Sequence, residues 1–130
     1  MIVREETSAT QQPDAVIQRQ LEAYNAQDLE GWLATYASDA RQFEYPDTLL
    51  ASGINAIRER AKARFAEPDL HASLRSRRVI GDVVIDHEDV IRTFPEGRGK
   101  VEMVAIYQVK SGAIQTATFM FGPKRLDESA

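Results

Sequence analysis

The chain has 130 residues, of which 43% are hydrophobic and 28% are charged, a size and composition typical of one globular domain. It contains no cysteine, which excludes disulfide scaffolds, cysteine-ligated metal sites and thiol catalysis. The formal net charge of -4 argues against a domain that works on nucleic acid or on an anionic membrane surface.

The chain shows neither a membrane span nor a secretion signal. Its longest uninterrupted apolar run, residues 103–107, is far shorter than the roughly 20 residues that a span requires. The first residues include Glu5 and Glu6 and lack an apolar stretch with a small-residue cleavage site. We therefore expect a cytoplasmic protein with a disordered leader at 1–12, one domain at 13–123 and a C-terminal tail at 124–130.

Two short helices are predicted at the start of the domain. Pro13 and Asp14 suit a first helical turn, and Asp28 suits the N-cap of a second helix. Apolar residues recur at helical spacing after both points. These residues are Val16, Ile17, Leu21 and Tyr24 in the first helix, and Leu29, Trp32, Leu33 and Tyr36 in the second.

Residues 41–45 alternate as a short strand that ends at a Pro-Asp turn. Gln42 and Glu44 share one face, and Arg41, Phe43 and Tyr45 share the other. Packing favours the face with the aromatic residues as the inner one. The pattern of this strand alone does not settle which of the two faces looks inward.

A third helix is predicted from Gly53 to about Phe65, with Glu67 and Pro68 ending it. Its buried stripe consists of Ile54, Ile57, Ala61 and Phe65. Its basic residues are expected to be solvent-exposed; they are Arg58, Arg60, Lys62 and Arg64.

The second half of the chain predicts four long strands, at 70–80, 83–94, 100–110 and 113–121. The turns between them are short, which forces antiparallel neighbours and gives an α+β fold with helices first and the sheet second. Strand 100–110 has apolar residues on both faces. Because the outer face then needs cover, we expect a homodimer that packs through the sheet.

Three segments carry a resemblance to a known family: VIQRQLEAYNAQDLEG at 16–31, YASDA at 36–40 and GINAIR at 53–58. They resemble the nuclear transport factor 2-like superfamily, and within it the SnoaL-like and ketosteroid-isomerase-like branch. The resemblance extends over residues 14–122. It implies a cone-shaped α+β fold in which three N-terminal helices pack on a curved, mainly antiparallel sheet and leave an apolar cavity.

The resemblance also implies positions for catalytic groups. In ketosteroid isomerases, a carboxylate base on the first strand moves a proton while a tyrosine and a protonated aspartic acid hold the oxyanion. Carried over without gaps, the base falls on Glu44, the tyrosine position on Gln20 and the aspartic acid near Ala105. A shift by one residue puts Tyr45 at the base position instead. The resemblance therefore implies a candidate base without its oxyanion pair, and the reaction stays open.

His87 is the second candidate for catalysis. A period of two places it with Val83 and Ile85 on one strand face. An imidazole on such a face is either a general acid or base or a core histidine held by a hydrogen bond. Across a cavity from Glu44, it would complete a carboxylate and imidazole dyad that moves a proton.

No metal or cofactor is expected. Asp86, Glu88 and Asp89 surround His87, but adjacent strand residues point to opposite faces, so too few ligands converge on one ion. No nucleotide-binding loop is present in the sequence either.

Two functions remain open for the cavity. One is proton transfer, of isomerase or cyclase type, on an apolar substrate with a carbonyl group, catalysed by Glu44 and His87. The other is a non-catalytic module that binds a small apolar molecule or serves dimerisation. The residues expected to line the pocket are Gln20, Tyr24, Trp32, Tyr36, Tyr45, Phe65, Met103, Tyr107 and Met120, with Phe119 beside them.

Overall fold

The structure is a computed structural model that describes residues 12–127. The predicted leader lies outside the described residues except for Gln12, and so do the last three residues of the predicted tail. The three helices are α1 (Pro13–Asn25), α2 (Leu29–Leu33) and α3 (Ile54–Phe65). The seven described strands are β1 (Tyr36–Glu44), β2 (Thr48–Ser52), β3 (His71–Ile80), β4 (Val83–Phe94), β5 (Gly97–Lys110), β6 (Ala113–Phe121) and β7 (Arg125–Leu126).

The three helices form where the sequence predicts them, except that α2 ends at Leu33 and Tyr36, predicted on its apolar face, begins β1. Pro13 occupies the first turn of α1, and the Asp28 side chain caps α2 by accepting a hydrogen bond from the Gly31 N–H at 3.0 Å. Gly53 precedes α3 with a φ of 88°, a conformation that glycine adopts without strain. Each helix buries its apolar stripe against the sheet and the other helices.

The strands form one sheet in the order β2-β1-β6-β5-β4-β3, with β7 paired to β5. The β1–β6 pair is parallel and all other described pairs are antiparallel. The predicted α+β fold with a mainly antiparallel sheet is confirmed. The four long strands of the second half also agree with the prediction to within three residues.

The sheet differs from the prediction at two places. The first strand begins at Tyr36, five residues earlier than expected, and returns through β2 as a hairpin that the sequence did not reveal. In the segment predicted as a C-terminal tail, Arg125 and Leu126 pair with Lys100 and Gly99 of β5. A Cβ at Gly99 would lie 2.4 Å from the Arg125 carbonyl oxygen, which explains the glycine there.

The inner face of the sheet packs on the helices in two buried clusters. The larger cluster centres on Ile17, Trp32 and Tyr107, and the smaller one on Leu21 and Val90. Three partly buried residues pack against both clusters: Tyr24, Met103 and Phe121. All three also line the cavity described below. No helix within residues 12–127 is long and apolar enough to cross a membrane.

Candidate functional site

A cavity of about 60 Å³ lies between the inner face of the sheet and helices α1 to α3, and it is partly open to solvent. Its walls are mostly aromatic and aliphatic, with a few polar groups, as is usual for small-molecule sites. The lining residues are Gln20, Leu21, Tyr24, Trp32, Gln42, Arg60, Ala61, Arg64, Phe65, Ala72, Glu88, Met103, Tyr107, Phe119 and Phe121.

Six of the nine residues predicted for the pocket line this cavity, namely Gln20, Tyr24, Trp32, Phe65, Met103 and Tyr107. Tyr36 is buried but lies behind the wall, where its ring packs on Trp32 with 4.7 Å between the ring centroids. Its hydroxyl accepts a hydrogen bond from Gln42 Nε2 at 3.3 Å. Tyr36 therefore supports the cavity wall without lining it.

The placement of Tyr45 and Met120 in the pocket is wrong. Tyr45 follows the end of β1 and is 55% exposed. Met120 is 42% exposed and alternates with Phe119 and Phe121, which line the cavity, so it lies on the outer face of β6. Met120 was expected in the pocket, whereas the alternation of side chains along β6 places it on the other face of the sheet.

Glu44 and His87 are not brought together. Glu44 is exposed at the end of β1, whereas Gln42, two residues earlier on the same face, is 1% exposed and lines the cavity. His87 lies on the outer face of β4, with its Nε2 atom 2.5 Å from Glu102 Oε2 and 3.4 Å from Arg75 Nη1. The expected dyad is therefore absent, because His87 points away from the cavity.

The carboxyl group in the cavity belongs to Glu88, a residue that the sequence did not single out as a catalytic candidate. In β4 the buried positions are Val84, Asp86, Glu88 and Val90, and His87 belongs to the alternate set. Glu88 is 3% exposed and lines the cavity. Within residues 12–127 its carboxyl makes neither a salt bridge nor a hydrogen bond with another side chain, so its interactions remain available to a ligand.

Desolvation by burial, and then the nearby negative charge of Asp86, raise the pKa of Glu88 to about 7. The positive charge of Arg77 opposes this effect in part. Near neutral pH the group therefore exists both as a carboxylate and as a carboxylic acid. A carboxyl of this kind suits general acid or base catalysis, because it both accepts and returns a proton.

Asp86 and Arg77 form an ion pair beside Glu88. Asp86 is 0% exposed and accepts two hydrogen bonds from Arg77, at 2.7 Å from Nε and at 2.9 Å from Nη2. Arg77 also donates to Gln18 Oε1 at 3.0 Å, which fixes the pair against α1. This bidentate contact holds the Asp86 carboxyl group beside Glu88, whose pKa its charge raises.

Hydrogen-bond donors surround the apolar part of the cavity. Burial and then the charge of Glu88 raise the pKa of Tyr107 well above its ordinary value, so its hydroxyl keeps its proton. The pKa of Tyr24 is also raised, chiefly by burial. The buried Nε1 of Trp32 has no acceptor within residues 12–127. These groups could donate to a ligand oxygen in the same cavity.

Two basic residues that were expected to be solvated, Arg60 and Arg64, also line the cavity. Arg60 Nη1 donates to Gln42 Oε1 at 3.1 Å. The helical period could have indicated this, because Arg60 and Arg64 flank the buried Ala61 and Phe65 on α3. By contrast, Arg58 pairs with Glu30 away from the cavity.

The described residues offer no metal site: within 12–127, no group of three or more His, Asp and Glu side chains converges. The expectation that neither a metal nor a cofactor takes part stays a prediction.

A sequence model of the SnoaL-like domain matches residues 17–117, from the first buried turn of α1 to the middle of β6. The chain belongs to the SnoaL-like domain family. The predicted resemblance is thereby confirmed, and with it the nuclear transport factor 2-like fold.

Solved structures agree with this SnoaL-like assignment. A nuclear transport factor 2-like protein of Cytophaga hutchinsonii gives a TM-score of 0.71 at 12% identity, covering 92% of this chain and 96% of that chain. A Mycobacterium tuberculosis protein in complex with estradiol-17β-hemisuccinate gives 0.71 at 22% identity, covering 82% and 91%. A Catenulispora acidiphila protein with a ketosteroid-isomerase-like fold, in complex with trimethylamine, gives 0.67 at 13% identity, covering 83% and 85%.

These similarities establish the fold, whereas the reaction has to be argued from the residues of this chain. A sequence comparison with curated proteins finds no match.

Proposed function

We propose that this SnoaL-like domain binds a small apolar molecule with a carbonyl group and transfers a proton within it, with Glu88 as the general base and acid. The observation that carries the proposal is the Glu88 carboxyl, which lines the cavity, is 3% exposed and has a pKa raised to about 7. A buried carboxyl without a partner is costly to a fold, which favours a role in function. Glu88 replaces Glu44 and His87 as the proposed base.

The chemistry follows from the two protonation states of Glu88. The carboxylate removes a proton from the carbon next to the ligand carbonyl, and the electron pair of that C–H bond moves to the carbonyl oxygen. Glu88, now a carboxylic acid, returns a proton to the same or to another carbon of the resulting enolate. Atoms and charge balance without a cofactor.

The enolate oxygen needs hydrogen-bond donors, because stabilising the charge that develops on this oxygen usually contributes most to the rate enhancement. The family resemblance puts the positions of these donors at Gln20 and near Ala105, so the donors differ here. The Tyr107 hydroxyl and the Trp32 N–H are the groups of this cavity that we assign to the oxygen. The apolar walls strengthen such bonds by excluding water.

The test uses 2-indanone, a small apolar ketone with an acidic CH₂ group, and follows the exchange of that group with D₂O by NMR. The wild-type protein should accelerate exchange, with a rate that rises with pH around pH 7, because the carboxylate is the active form. Glu88→Gln should lower the protein-catalysed rate by about 100-fold or more. Glu59→Gln, which removes an exposed glutamate of α3, should keep the rate.

Three outcomes would count against the proposal. If the wild-type protein does not accelerate exchange, catalysis of proton transfer in this class of ketone is excluded. An unchanged rate in Glu88→Gln would remove Glu88 as the base. A loss in Glu44→Gln alone would instead restore the base that the family alignment implies.

The second candidate is a non-catalytic ligand-binding module. The residue Ala105 favours this candidate. Its side chain is fully buried but cannot donate a hydrogen bond, whereas the related isomerases have a donor near this position. Under this alternative, 2-indanone would bind without accelerated exchange. The ligand of the Mycobacterium tuberculosis protein supports a small, largely apolar ligand in either case.

We further propose that two copies pack through the outer face of the sheet. An apolar stripe crosses three strands there, because Ile85 pairs with Ile106 and Val104 pairs with Met120. All four are partly or fully exposed in one copy, and a partner sheet would remove this surface from water.

The expected cytoplasmic location stays a prediction.

A further inference from the structure

Two guanidinium groups lie at the opening of the cavity. Arg60 and Arg64 are one turn apart on α3, and both line the cavity. Of the lining residues within 12–127, Arg60 alone is exposed, so it marks where the cavity meets solvent. A ligand that enters the cavity therefore passes these two positive charges.

Neither guanidinium group has a close carboxylate partner of its own within residues 12–127, although the more distant charge of Glu44 acts on Arg60 and Arg64 hydrogen-bonds to Tyr24. Arg60 takes part in no salt bridge within residues 12–127, and its hydrogen bond goes to the neutral amide of Gln42. Arg64 Nε lies 4.0 Å from Glu67 Oε2. That carboxylate is already held by Arg92, at 2.9 Å from Nε and at 2.8 Å from Nη2.

The two guanidinium groups also repel each other. Partial burial, and then the charge of Arg64, lower the pKa of Arg60. An anion between the two would relieve this repulsion and accept several charge-assisted hydrogen bonds. The protein as a whole has a net charge of -4, so attraction of an anion at this point is a local property.

The wall of the cavity that faces α3 is formed in part by β4 and carries an acidic side chain. Glu88 lies on β4, and the charges that shift its pKa are those of Asp86, which raises it, and of Arg77, which lowers it. The cavity is thus positive at the α3 side and acidic at the β4 side. An anionic group near Glu88 would be repelled, so the charges fix which end of a ligand enters first.

We propose that the ligand is a small amphipathic carboxylate, whose carboxylate group binds Arg60 and Arg64 at the opening while its carbonyl-bearing apolar part faces Glu88. Arginine is suited to this role because its planar fork binds a carboxylate through two parallel hydrogen bonds. This inference rests on the proposed function, since it assigns the substrate class of the same cavity.

The test compares two ketones that differ in one group, 2-indanone and 2-indanone-5-carboxylate, by isothermal titration calorimetry at low and at moderate salt. The carboxylate should bind about 10-fold more tightly than the neutral ketone at low salt, and the advantage should shrink as salt rises. Arg60→Gln and Arg64→Gln should each remove most of this advantage, because they weaken binding of the carboxylate far more than binding of 2-indanone.

The matched control is Arg58→Gln, which removes the same charge from the same helix, but at a residue outside the cavity that pairs with Glu30. It should leave both affinities within about twofold. Arg60→Lys should retain part of the preference, because the charge stays while the fork is lost. Arg60 is exposed, so these variants at position 60 should fold normally.

Equal binding of the two ketones, or an equal loss of both affinities in Arg60→Gln, would overturn the inference. Either result leaves the proposed function intact if Glu88→Gln still abolishes exchange of 2-indanone. Conversely, a carboxylate preference with exchange unaffected by Glu88→Gln would refute only the proposed function.

Discussion

Replacing Glu88 with glutamine should make the protein more stable, and the gain should depend on pH. Glutamine has nearly the shape of glutamic acid but never ionises, so it mimics the protonated side chain. The folded state raises the pKa of Glu88, first through desolvation and then through the charge of Asp86. The folded protein therefore binds this proton more tightly than the unfolded chain, and ionisation opposes folding.

The size of the effect follows from the two pKa values. Raising a carboxyl pKa from 4.5 to about 7 costs the ionised form about 3 kcal/mol. The cost is absent below pH 4.5, grows as the pH rises between the two values and is complete above about pH 7. A domain of this size is stable by about 5 to 15 kcal/mol in total, so the change is readily measured.

The assay is urea unfolding of wild type and Glu88→Gln at several pH values between 5 and 8.5. The stability advantage of the variant should grow by about 2 to 3 kcal/mol over this range. Glu59→Gln serves as control: it loses only an exposed ion pair with Lys62, so its difference from wild type should stay constant within about 0.5 kcal/mol. A pH-independent difference for Glu88→Gln would refute the buried, perturbed carboxyl, and with it the main support for proton transfer.

Two further predictions concern the surroundings of the site and the outer face. Asp86→Asn should lower the pKa of Glu88, because the repelling charge is gone and Arg77 is free to act on Glu88. NMR should show this as a lower titration midpoint of the Glu88 carboxyl carbon, and an unchanged midpoint would contradict the assigned cause. The substitution should also lower the free energy of unfolding by about 3 kcal/mol, because it breaks a buried ion pair. Met120→Lys should convert the proposed dimer to a monomer in analytical ultracentrifugation. Leu49→Lys, at an exposed apolar position on the edge strand β2, should leave the dimer intact. A monomeric wild type would refute the dimer.

Much of the fold could be predicted because local signals agreed with it. Helix α2 begins at an aspartate that caps it, and α3 follows a glycine with positive φ. The long strands are separated by turns that contain Gly81 and Gly112, both with positive φ. Short-range chemistry of this kind acts in the same way before and after the chain folds.

The hairpin to β2 and the pairing of β7 could not be predicted in this way. Strand β2 is five residues long and mostly exposed, so it lacks a buried alternation. Strand β7 has two residues, and both are exposed. Their place in the sheet comes from pairing with β1 and β5, and such short, exposed segments carry no apolar pattern that would indicate this pairing.

The sequence by itself determined the order of the three helices and the long strands, the family and the set of residues that alternate along each strand. Only the tertiary structure decided which alternate set faces the helices. On β4 the outer set contains Val83 and Ile85 and is as apolar as the inner one, so hydrophobicity could not separate His87 from Glu88. The ion pair of Asp86 with Arg77 makes burial of the acidic set possible, and that pairing exists only once β3 lies beside β4.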